Sequence, residues 1–192
     1  METNAAERRF DPNRQHVLTG ADRWEKWQPP RLLGGLGIKP GQSVLDLGCG
    51  PGFWTLPLAD IVSPTGVVWA LDVSQALLDA LAARQPPPHV RLLRSELPAI
   101  NLPDAAADWV WGAFVVHEVE PPAELMHEIR RVLRPGGRVA LLDWRPDAAS
   151  DDGPPAHHRL APELVIDGLR AAGFPYASET WQNADGYLVE AG

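Results

Sequence analysis

Cysteine is almost absent from this chain of 192 residues, which contains only Cys49. A disulfide within the chain needs two cysteines and a cysteine-rich metal centre needs more, so the sequence excludes both. Proteins without disulfides are typical of reducing compartments. We therefore expect a cytoplasmic protein.

Basic charge and long apolar runs are also scarce. The chain has 17 basic and 25 acidic residues, a net charge of −8, which argues against a broad basic face for nucleic acid. No apolar stretch approaches the ~20 residues of a membrane span, and residues 1–4 are too polar to begin a signal peptide. The predicted partners therefore include neither nucleic acid nor a membrane span, and the sequence leaves a homodimer open.

Strand-like and helix-like segments alternate along most of the chain. Segments with helical apolar spacing separate the apolar runs, which lie at 43–47, 66–72, 90–94, 108–116 and 138–144. This alternation predicts an α/β fold with a doubly wound, mostly parallel, seven-stranded Rossmann-like sheet. Two later runs, at 176–181 and 187–190, are too close for a helix between them. They predict a hairpin, and so one antiparallel strand near the C-terminus.

The pattern also predicts how the chain is divided. We expect one globular unit in which residues 41–192 form the ligand-binding domain and residues 1–40 form a helical arm packed on it. Trp24 and Trp27 make this arm a candidate lid over the ligand, although simple packing against the sheet is an equal alternative. The polar linker at 145–159 is expected to form part of a substrate rim. Its adjacent His157 and His158 lack a third ligand at helical spacing, so we predict no metal site.

A glycine-rich loop follows the first apolar run. Gly48, Gly50 and Gly52 alternate between that run and a helical segment. Residues without a Cβ let backbone N–H groups approach a ligand closely, and the following helix presents its N-terminus. A dinucleotide fingerprint would need glycine at position 53, which is Phe53. Asp46 instead offers a carboxylate to the ammonium group of a nucleotide-type ligand that contains an amino acid.

This loop and three later stretches resemble the motifs of class I S-adenosylmethionine-dependent methyltransferases. The later stretches lie at 102–104, 108–116 and 131–138. The likeness covers about residues 40–192 and points to the small-molecule branch, which includes enzymes of quinone biosynthesis and arsenite methylation. It implies S-adenosylmethionine as cofactor, S-adenosylhomocysteine as product, and in-line displacement of the methyl group onto a small-molecule acceptor.

In a doubly wound sheet the ligand lies outside the carboxyl ends of the strands, so side chains there are the site candidates. Asp72 ends the second strand and is predicted to accept both ribose hydroxyls. Glu96 follows the third strand and is predicted to accept the adenine amino group, with a solvated surface carboxylate as its alternative. The resemblance places Ala113 and Phe114 beside the sulfonium. The predicted cofactor-binding residues are Asp46, Gly48, Gly50, Gly52, Phe53, Asp72, Val73, Glu96, Leu97, Ala113 and Phe114.

Two strand-end residues are candidates for catalysis. His117 follows the fourth strand at the site face and is the leading general-base candidate, because histidine titrates near neutral pH. Asp143, near the end of the fifth strand, is the second candidate. Their structural alternatives are a histidine bonded to a nearby carbonyl and an aspartate paired with Arg145 or Arg159.

Two differences between this sequence and the motifs of the family narrow the chemical class of the methyl acceptor. Arsenite methylation relies on several cysteines, whereas Cys49 stands alone and is expected to be a small buried packing residue. The fourth strand ends in Phe-Val-Val-His at 114–117, not in the Asn-Pro-Pro-Tyr form of nucleic-acid and glutamine amino methyltransferases. The alternatives are an NAD-dependent oxidoreductase with an irregular glycine loop and a non-catalytic S-adenosylmethionine-binding module.

Overall fold

A seven-stranded sheet runs through the centre of the computed structural model, which describes residues 10–148, 150 and 152–192. Residues 1–9 of the predicted arm therefore lie outside the described residues. The strands are β1 (Ser43–Leu47), β2 (Val67–Asp72), β3 (Val90–Arg94), β4 (Ala107–Ala113), β5 (Leu133–Trp144), β6 (Ala177–Gln182) and β7 (Gly186–Ala191).

The strand order is β3-β2-β1-β4-β5-β7-β6. The pairs from β3 to β5 are parallel, whereas β7 runs antiparallel to both β5 and β6. The backbone N–H groups of Asp185 and Gly186 both donate to Asn183 Oδ1, which closes the turn between β6 and β7. A turn this short allows only a hairpin, so the predicted fold class, with its single antiparallel strand, is confirmed.

Helices cover both faces of the sheet. On one face, α1 (Ala21–Trp27), α2 (Pro29–Gly35), α3 (Thr55–Val62) and α4 (Gln75–Ala83) share an apolar core with the sheet. On the other, α5 (Pro122–Val132) and α6 (Pro162–Ala171) bury Leu125, Ile129 and Leu169 in a second core. The described 3₁₀ turns are Pro12–Leu18, Val116–Glu118 and Ala156–His158. Across residues 10–148, 150 and 152–192, none of the helices has the length and apolar character that a bilayer crossing requires.

Two strand boundaries differ from those predicted. β4 ends at Ala113, three residues earlier than expected, because Phe114 takes a φ of 60° that no extended strand permits. β5 begins at Leu133 and not at Arg138, because a register shift lets Leu133 pair with Ala107 before Arg138 pairs with Trp109. Both differences come from local backbone conformation, which apolar periodicity does not report.

Helix α1 is held against the domain by one aromatic and one charged side chain. Trp27 is 1% exposed and packs on Phe114, Trp144 and Trp181. Lys26 Nζ lies 2.7 Å from Asp185 Oδ2 and 2.9 Å from Asp152 Oδ2. These contacts pack helix α1 of the arm against the domain. The action of the arm as a lid remains a prediction.

The two leucines of α6 test the second core. Leu169 is 0% exposed and Leu164 is 55% exposed. We expect Leu169→Ala to lower the free energy of unfolding by about 2–5 kcal/mol, because it leaves a cavity between α6 and the sheet. The control Leu164→Ala should change it by less than about 0.5 kcal/mol. Urea unfolding followed by circular dichroism measures both, and equal effects would contradict the helix orientation.

Candidate active site

The glycine loop joins β1 to α3 at the carboxyl edge of the sheet. Gly48, Gly50 and Gly52 have φ values of 70°, 53° and 88°, which residues with a side chain rarely adopt. A Cβ on Gly48 would lie 2.8 Å from Val115 Cγ2, and one on Gly52 would lie 2.4 Å from Leu81 Cδ1. These two glycines therefore allow the loop to pack against the domain.

Gly50 differs from its two neighbours because a Cβ there would have room. A Cβ there would meet Leu18 Cδ1 at 3.6 Å, and no other described atom lies within 4 Å of it. Leu18 belongs to the arm, in the 3₁₀ turn Pro12–Leu18. The arm thus covers the point at which a ligand would contact the loop.

Asp72 connects the loop to β2. Its Oδ2 accepts a hydrogen bond from the Gly50 N–H at 2.8 Å, and its Oδ1 accepts one from the Ser74 N–H at 2.8 Å. Ser74 itself caps α4, because its hydroxyl accepts a hydrogen bond from the Leu77 N–H. Burial raises the pKa of Asp72, although the backbone N–H groups oppose that shift. A carboxylate oxygen has two acceptor sites, so each oxygen of Asp72 keeps capacity for a further hydroxyl.

Asp46 lies inside β1 and is 1% exposed. The Thr55 hydroxyl donates to its Oδ2 at 2.6 Å, which ties β1 to the first residue of α3 across the glycine loop. Burial raises the pKa of Asp46 to about 7, the Thr55 hydrogen bond opposes this shift, and the charge of Asp72 adds to it. The carboxylate thus has a structural partner, and its contact with a cofactor amine stays a prediction.

The residues that follow β2 and β3 lie side by side. The Ser95 N–H donates to the Asp72 carbonyl at 3.2 Å, which brings the loop containing Glu96 and Leu97 beside the end of β2. The Val73 carbonyl accepts from Arg94 Nε at 3.2 Å. Glu96 is exposed, while Leu97 is partly buried against the core. Glu96 and Leu97 therefore lie near the carboxyl end of β2, where the cofactor was expected. Their contacts with adenine remain a prediction.

Aromatic rings line the crevice beyond β4. Phe114 is held by its N–H, which donates to the Leu142 carbonyl at 2.7 Å, and its ring centroid lies 4.7 Å from those of Trp27 and Trp144. On the other side, Phe53 contacts Trp24 with ring centroids 5.7 Å apart. The predicted Phe53, Ala113 and Phe114 thus lie at the same edge of the sheet as the glycine loop.

His117 and Asp143, which were predicted separately, form a buried pair. His117 Nδ1 lies 2.7 Å from Asp143 Oδ1, and the His117 backbone N–H donates to Asp143 Oδ2 at 3.2 Å. Neither predicted alternative, a carbonyl partner for His117 or an arginine partner for Asp143, is adopted among the described contacts. Burial is the largest single influence on the pKa of His117 and lowers it, but the charge and hydrogen bond of Asp143, together with the charge of Glu118, outweigh burial, so this pKa lies above the ordinary value of 6.5.

The pair also fixes the proton arrangement of the imidazole. An ionised carboxylate only accepts hydrogen bonds, so Nδ1 carries the proton that faces Asp143 and neutral His117 keeps a lone pair on Nε2. None of the described residues bonds to Nε2. This geometry allows Nε2 to accept a proton from an acceptor group in the crevice.

Glu118 adds a further carboxyl group beside this pair. Its Oε1 accepts a hydrogen bond from the Phe10 N–H of the arm at 3.1 Å. Burial raises the pKa of Glu118 to about 7; His117 and the Phe10 N–H oppose this shift, and the charges of Asp72 and Asp143 favour it. The arm therefore contacts the domain at Glu118 as well as at Gly50.

Sequence analysis missed three residues that the structure brings to the site. Thr55 could have been suspected, because a hydroxyl at the start of the helix after a glycine loop can reach back to the strand. Glu118 could also have been suspected, because it directly follows the candidate His117 in the sequence. Arg23 carried no signal, because its contact with Phe114 depends on how the arm packs.

The linker contributes little of the chemistry expected of a metal centre. Within the described parts of the chain, no three His, Cys, Asp or Glu residues are grouped closely enough to hold a metal ion. The rings of His157 and His158 contact each other with centroids 4.3 Å apart. Arg159 donates to the carbonyls of Pro154 and Asp152 and lies over Trp144. Cys49 is a buried free thiol, which agrees with the packing role expected of it.

Comparison with known proteins gives concordant results. The family described as Methyltransferase domain matches residues 45–141, about half of the chain. A SAM-dependent methyltransferase from Aquifex aeolicus is 30% identical, with a TM-score of 0.88 over 95% of this chain and 98% of that one.

Two curated relatives share shorter regions. A demethylmenaquinone methyltransferase of Lysinibacillus sphaericus is 34% identical over 56% of this chain and 47% of its own length. An uncharacterised 37.1 kDa protein in transposon Tn4556 of Streptomyces fradiae is 39% identical over 59% of this chain and 34% of its own length. The match thus spans about half or less of each of these proteins. From the sheet order, the glycine loop and these similarities together, the chain belongs to the class I S-adenosylmethionine-dependent methyltransferases.

Proposed function

We propose that this protein transfers a methyl group from S-adenosylmethionine to a small-molecule acceptor. The observation that carries the proposal is Asp72, whose carboxylate is oriented by the Gly50 and Ser74 N–H groups at the edge where β2 meets the glycine loop. When bound, S-adenosylmethionine supplies an electrophilic methyl group on a sulfonium.

The residues of the crevice fit this cofactor. Asp72 keeps one acceptor position on each oxygen, which suits the two hydroxyls of a ribose. A Cβ on Gly50 would meet Leu18 Cδ1 at 3.6 Å, so Leu18 of the arm lies over this glycine. Asp72 interacts electrostatically with both Asp46 and Glu118, and a cationic ligand would favour the ionised form of these carboxyl groups, whose pKa burial raises. We propose that Leu18 and Phe10 move aside when the cofactor binds, as a lid would.

His117 is the proposed general base. Asp143 holds Nδ1–H, so Nε2 is left to take a proton from the acceptor as the methyl group is transferred. Alignment of the acceptor with the methyl group supplies the larger part of the rate, because orientation alone is worth up to ~7–11 kcal/mol. Phe53 and Phe114 are proposed to flank the reacting atoms.

Several features support a small organic acceptor. Curated relatives of this chain are named demethylmenaquinone methyltransferases, and a net charge of −8 disfavours nucleic acid. The single cysteine disfavours arsenite. We further propose that the protein acts in the cytoplasm. The family assignment does not favour the alternative function, that of an NAD-dependent oxidoreductase.

The first prediction concerns cofactor affinity. Asp72→Ala removes two charge-assisted hydrogen bonds to the ribose, each worth about 1.5–3 kcal/mol. We expect the dissociation constant for S-adenosylhomocysteine to rise at least about tenfold in isothermal titration calorimetry. The control Asp79→Ala removes an exposed carboxylate from α4, beside Gln75, and should leave affinity unchanged. Unaltered affinity in Asp72→Ala would contradict the ribose assignment, and binding of NAD alone would contradict the proposed function.

The second prediction concerns the imidazole. With its pKa raised by Asp143, His117 is charged at lower pH and becomes a competent base only as pH rises through that pKa. Asp143→Asn removes the negative charge, so the pKa of His117 should fall and its titration should move to lower pH. NMR titration of the ring Cε1–H measures this directly. Asp147→Asn, an exposed carboxylate paired with Arg145, is the control and should leave the titration in place; a shift equal in both variants would refute the pairing.

The third prediction concerns turnover. His117→Ala should lower the rate by about 10²–10⁴ while S-adenosylhomocysteine affinity stays within about twofold, because a base acts in the reaction and not in binding. Transfer of label from S-adenosylmethionine to a cell metabolite extract measures the rate. His127→Ala, an exposed histidine on α5, is the control. Full turnover in His117→Ala would exclude it as the base. Tight binding by the wild type without labelled product would favour the non-catalytic module.

A further inference from the structure

Arg23 projects from α1 onto the aromatic rings of the crevice. Its guanidinium carbon lies 5.2 Å from the centroid of Phe53 and 4.9 Å from that of Phe114. Its Nε is buried and has no hydrogen-bond partner among the described residues. Burial lowers its pKa to about 10, and the charge of Asp152 only partly offsets this.

Among the described residues, no group accepts a hydrogen bond from Arg23 Nε, although the side chain as a whole is partly exposed. A guanidinium offers five N–H donors, and aromatic faces attract it but provide no acceptor along the N–H directions. A buried N–H that lacks an acceptor is costly. An oxyanion is the natural complement, because a planar carboxylate accepts two parallel N–H bonds from one guanidinium.

The two neighbouring cations differ from Arg23 in this respect. Lys26 forms ion pairs with Asp152 and Asp185, and Arg159 donates to backbone carbonyls. Among the described residues, no carboxylate lies within salt-bridge distance of Arg23. Because Lys26 and Trp27 anchor the next turn of α1, Arg23 is also fixed in place over the rings. Arg23 is therefore a cation held in a fixed position, and the described part of the chain contains no anionic partner for it.

The position of Arg23 connects it to the ligand. Phe53 follows the glycine loop and Phe114 follows β4, so the guanidinium lies where the loop and the catalytic edge of the sheet meet. Asp72, Glu118 and Asp143 also lie near the carboxyl ends of the strands, each bonded to a group of its own. A ligand bound at this edge therefore finds carboxyl groups and one guanidinium within the same region.

We propose that Arg23 binds a carboxylate of a ligand that lies against Phe53 and Phe114. The inference rests on the proposed function, in which two molecules enter this crevice and either can supply the group. One source is the amino-acid carboxylate of S-adenosylmethionine, and the other is an acid group on the methyl acceptor. The first makes Arg23 a cofactor-binding residue, and the second makes it a determinant of acceptor specificity.

The test uses Arg23→Gln in the full chain, with Arg31→Gln, an exposed arginine on α2, as the matched control. The first arm compares S-adenosylhomocysteine with 5′-methylthioadenosine, which keeps the nucleoside and sulfur but lacks the carboxylate. The second arm compares benzoate with benzyl alcohol, with and without saturating S-adenosylhomocysteine. Calorimetry measures the nucleosides and NMR shift titration measures the aromatic probes.

We expect Arg23→Gln to weaken one carboxylate probe at least tenfold and its neutral counterpart less than twofold. Loss confined to S-adenosylhomocysteine assigns the carboxylate to the cofactor, and loss confined to benzoate assigns it to the acceptor. Unchanged affinity for both carboxylates overturns the proposal. Equal losses for charged and neutral probes also overturn it, because they indicate a packing role.

Two further measurements keep the outcomes separate. If Arg23→Gln lowers the urea midpoint, Arg23→Lys replaces it, because this variant keeps the charge but loses the planar fork; we expect it to keep more carboxylate affinity than Arg23→Gln, and equal carboxylate affinities in the two variants would overturn the proposal. If the wild type binds neither nucleoside, the proposed function fails, whereas benzoate binding without nucleoside still decides whether Arg23 receives a carboxylate.

Discussion

The carboxylate of Asp72 holds the site together, because it joins three elements through two hydrogen bonds. It accepts the Gly50 N–H of the glycine loop and the Ser74 N–H that begins α4, while its own backbone ends β2. The Cys49 N–H, which donates to the Leu71 carbonyl at 2.9 Å, adds a second tie between the loop and β2. Without this carboxylate the loop would keep only the Cys49 hydrogen bond to β2. The proposed ribose contact and the conformation of the loop therefore depend on the same side chain.

The three glycines of the loop serve different purposes, although they look alike in the sequence. Gly48 and Gly52 leave room for Val115 and Leu81, which come from distant parts of the chain. A Cβ on Gly50 would meet Leu18 Cδ1 at the ordinary contact distance of 3.6 Å. A substitution at either outer glycine thus disturbs core packing, whereas one at Gly50 mainly strains the left-handed backbone, whose φ is 53°. Motif matching treats these positions as equivalent, and the packing shows that they are not.

The fold and the cofactor edge follow from local sequence, because apolar periodicity and turn residues act over short distances. The doubly wound, mostly parallel sheet and its hairpin could be predicted from the alternation of elements and the short link before Gly186. The pairing of His117 with Asp143 was beyond such reasoning, although both residues were named, because it depends on how β4 and β5 align beyond their last paired residues. Arg23 could not be predicted as a site residue from the sequence. Its helix α1 is positioned by Trp27, which is buried against side chains more than a hundred residues away, such as Trp144 and Trp181.

In the proposed reaction, the carboxyl groups of the site explain binding better than they explain rate. An ionised carboxylate attracts a sulfonium in the ground state, and this attraction weakens as the positive charge disperses during methyl transfer. Interactions that are stronger in the ground state than in the transition state do not accelerate a reaction. Under this proposal, rate acceleration comes from alignment against Phe53 and Phe114 and from proton removal at His117 Nε2. The Asp143 carboxylate would favour that removal, because its charge and its hydrogen bond both raise the pKa of His117.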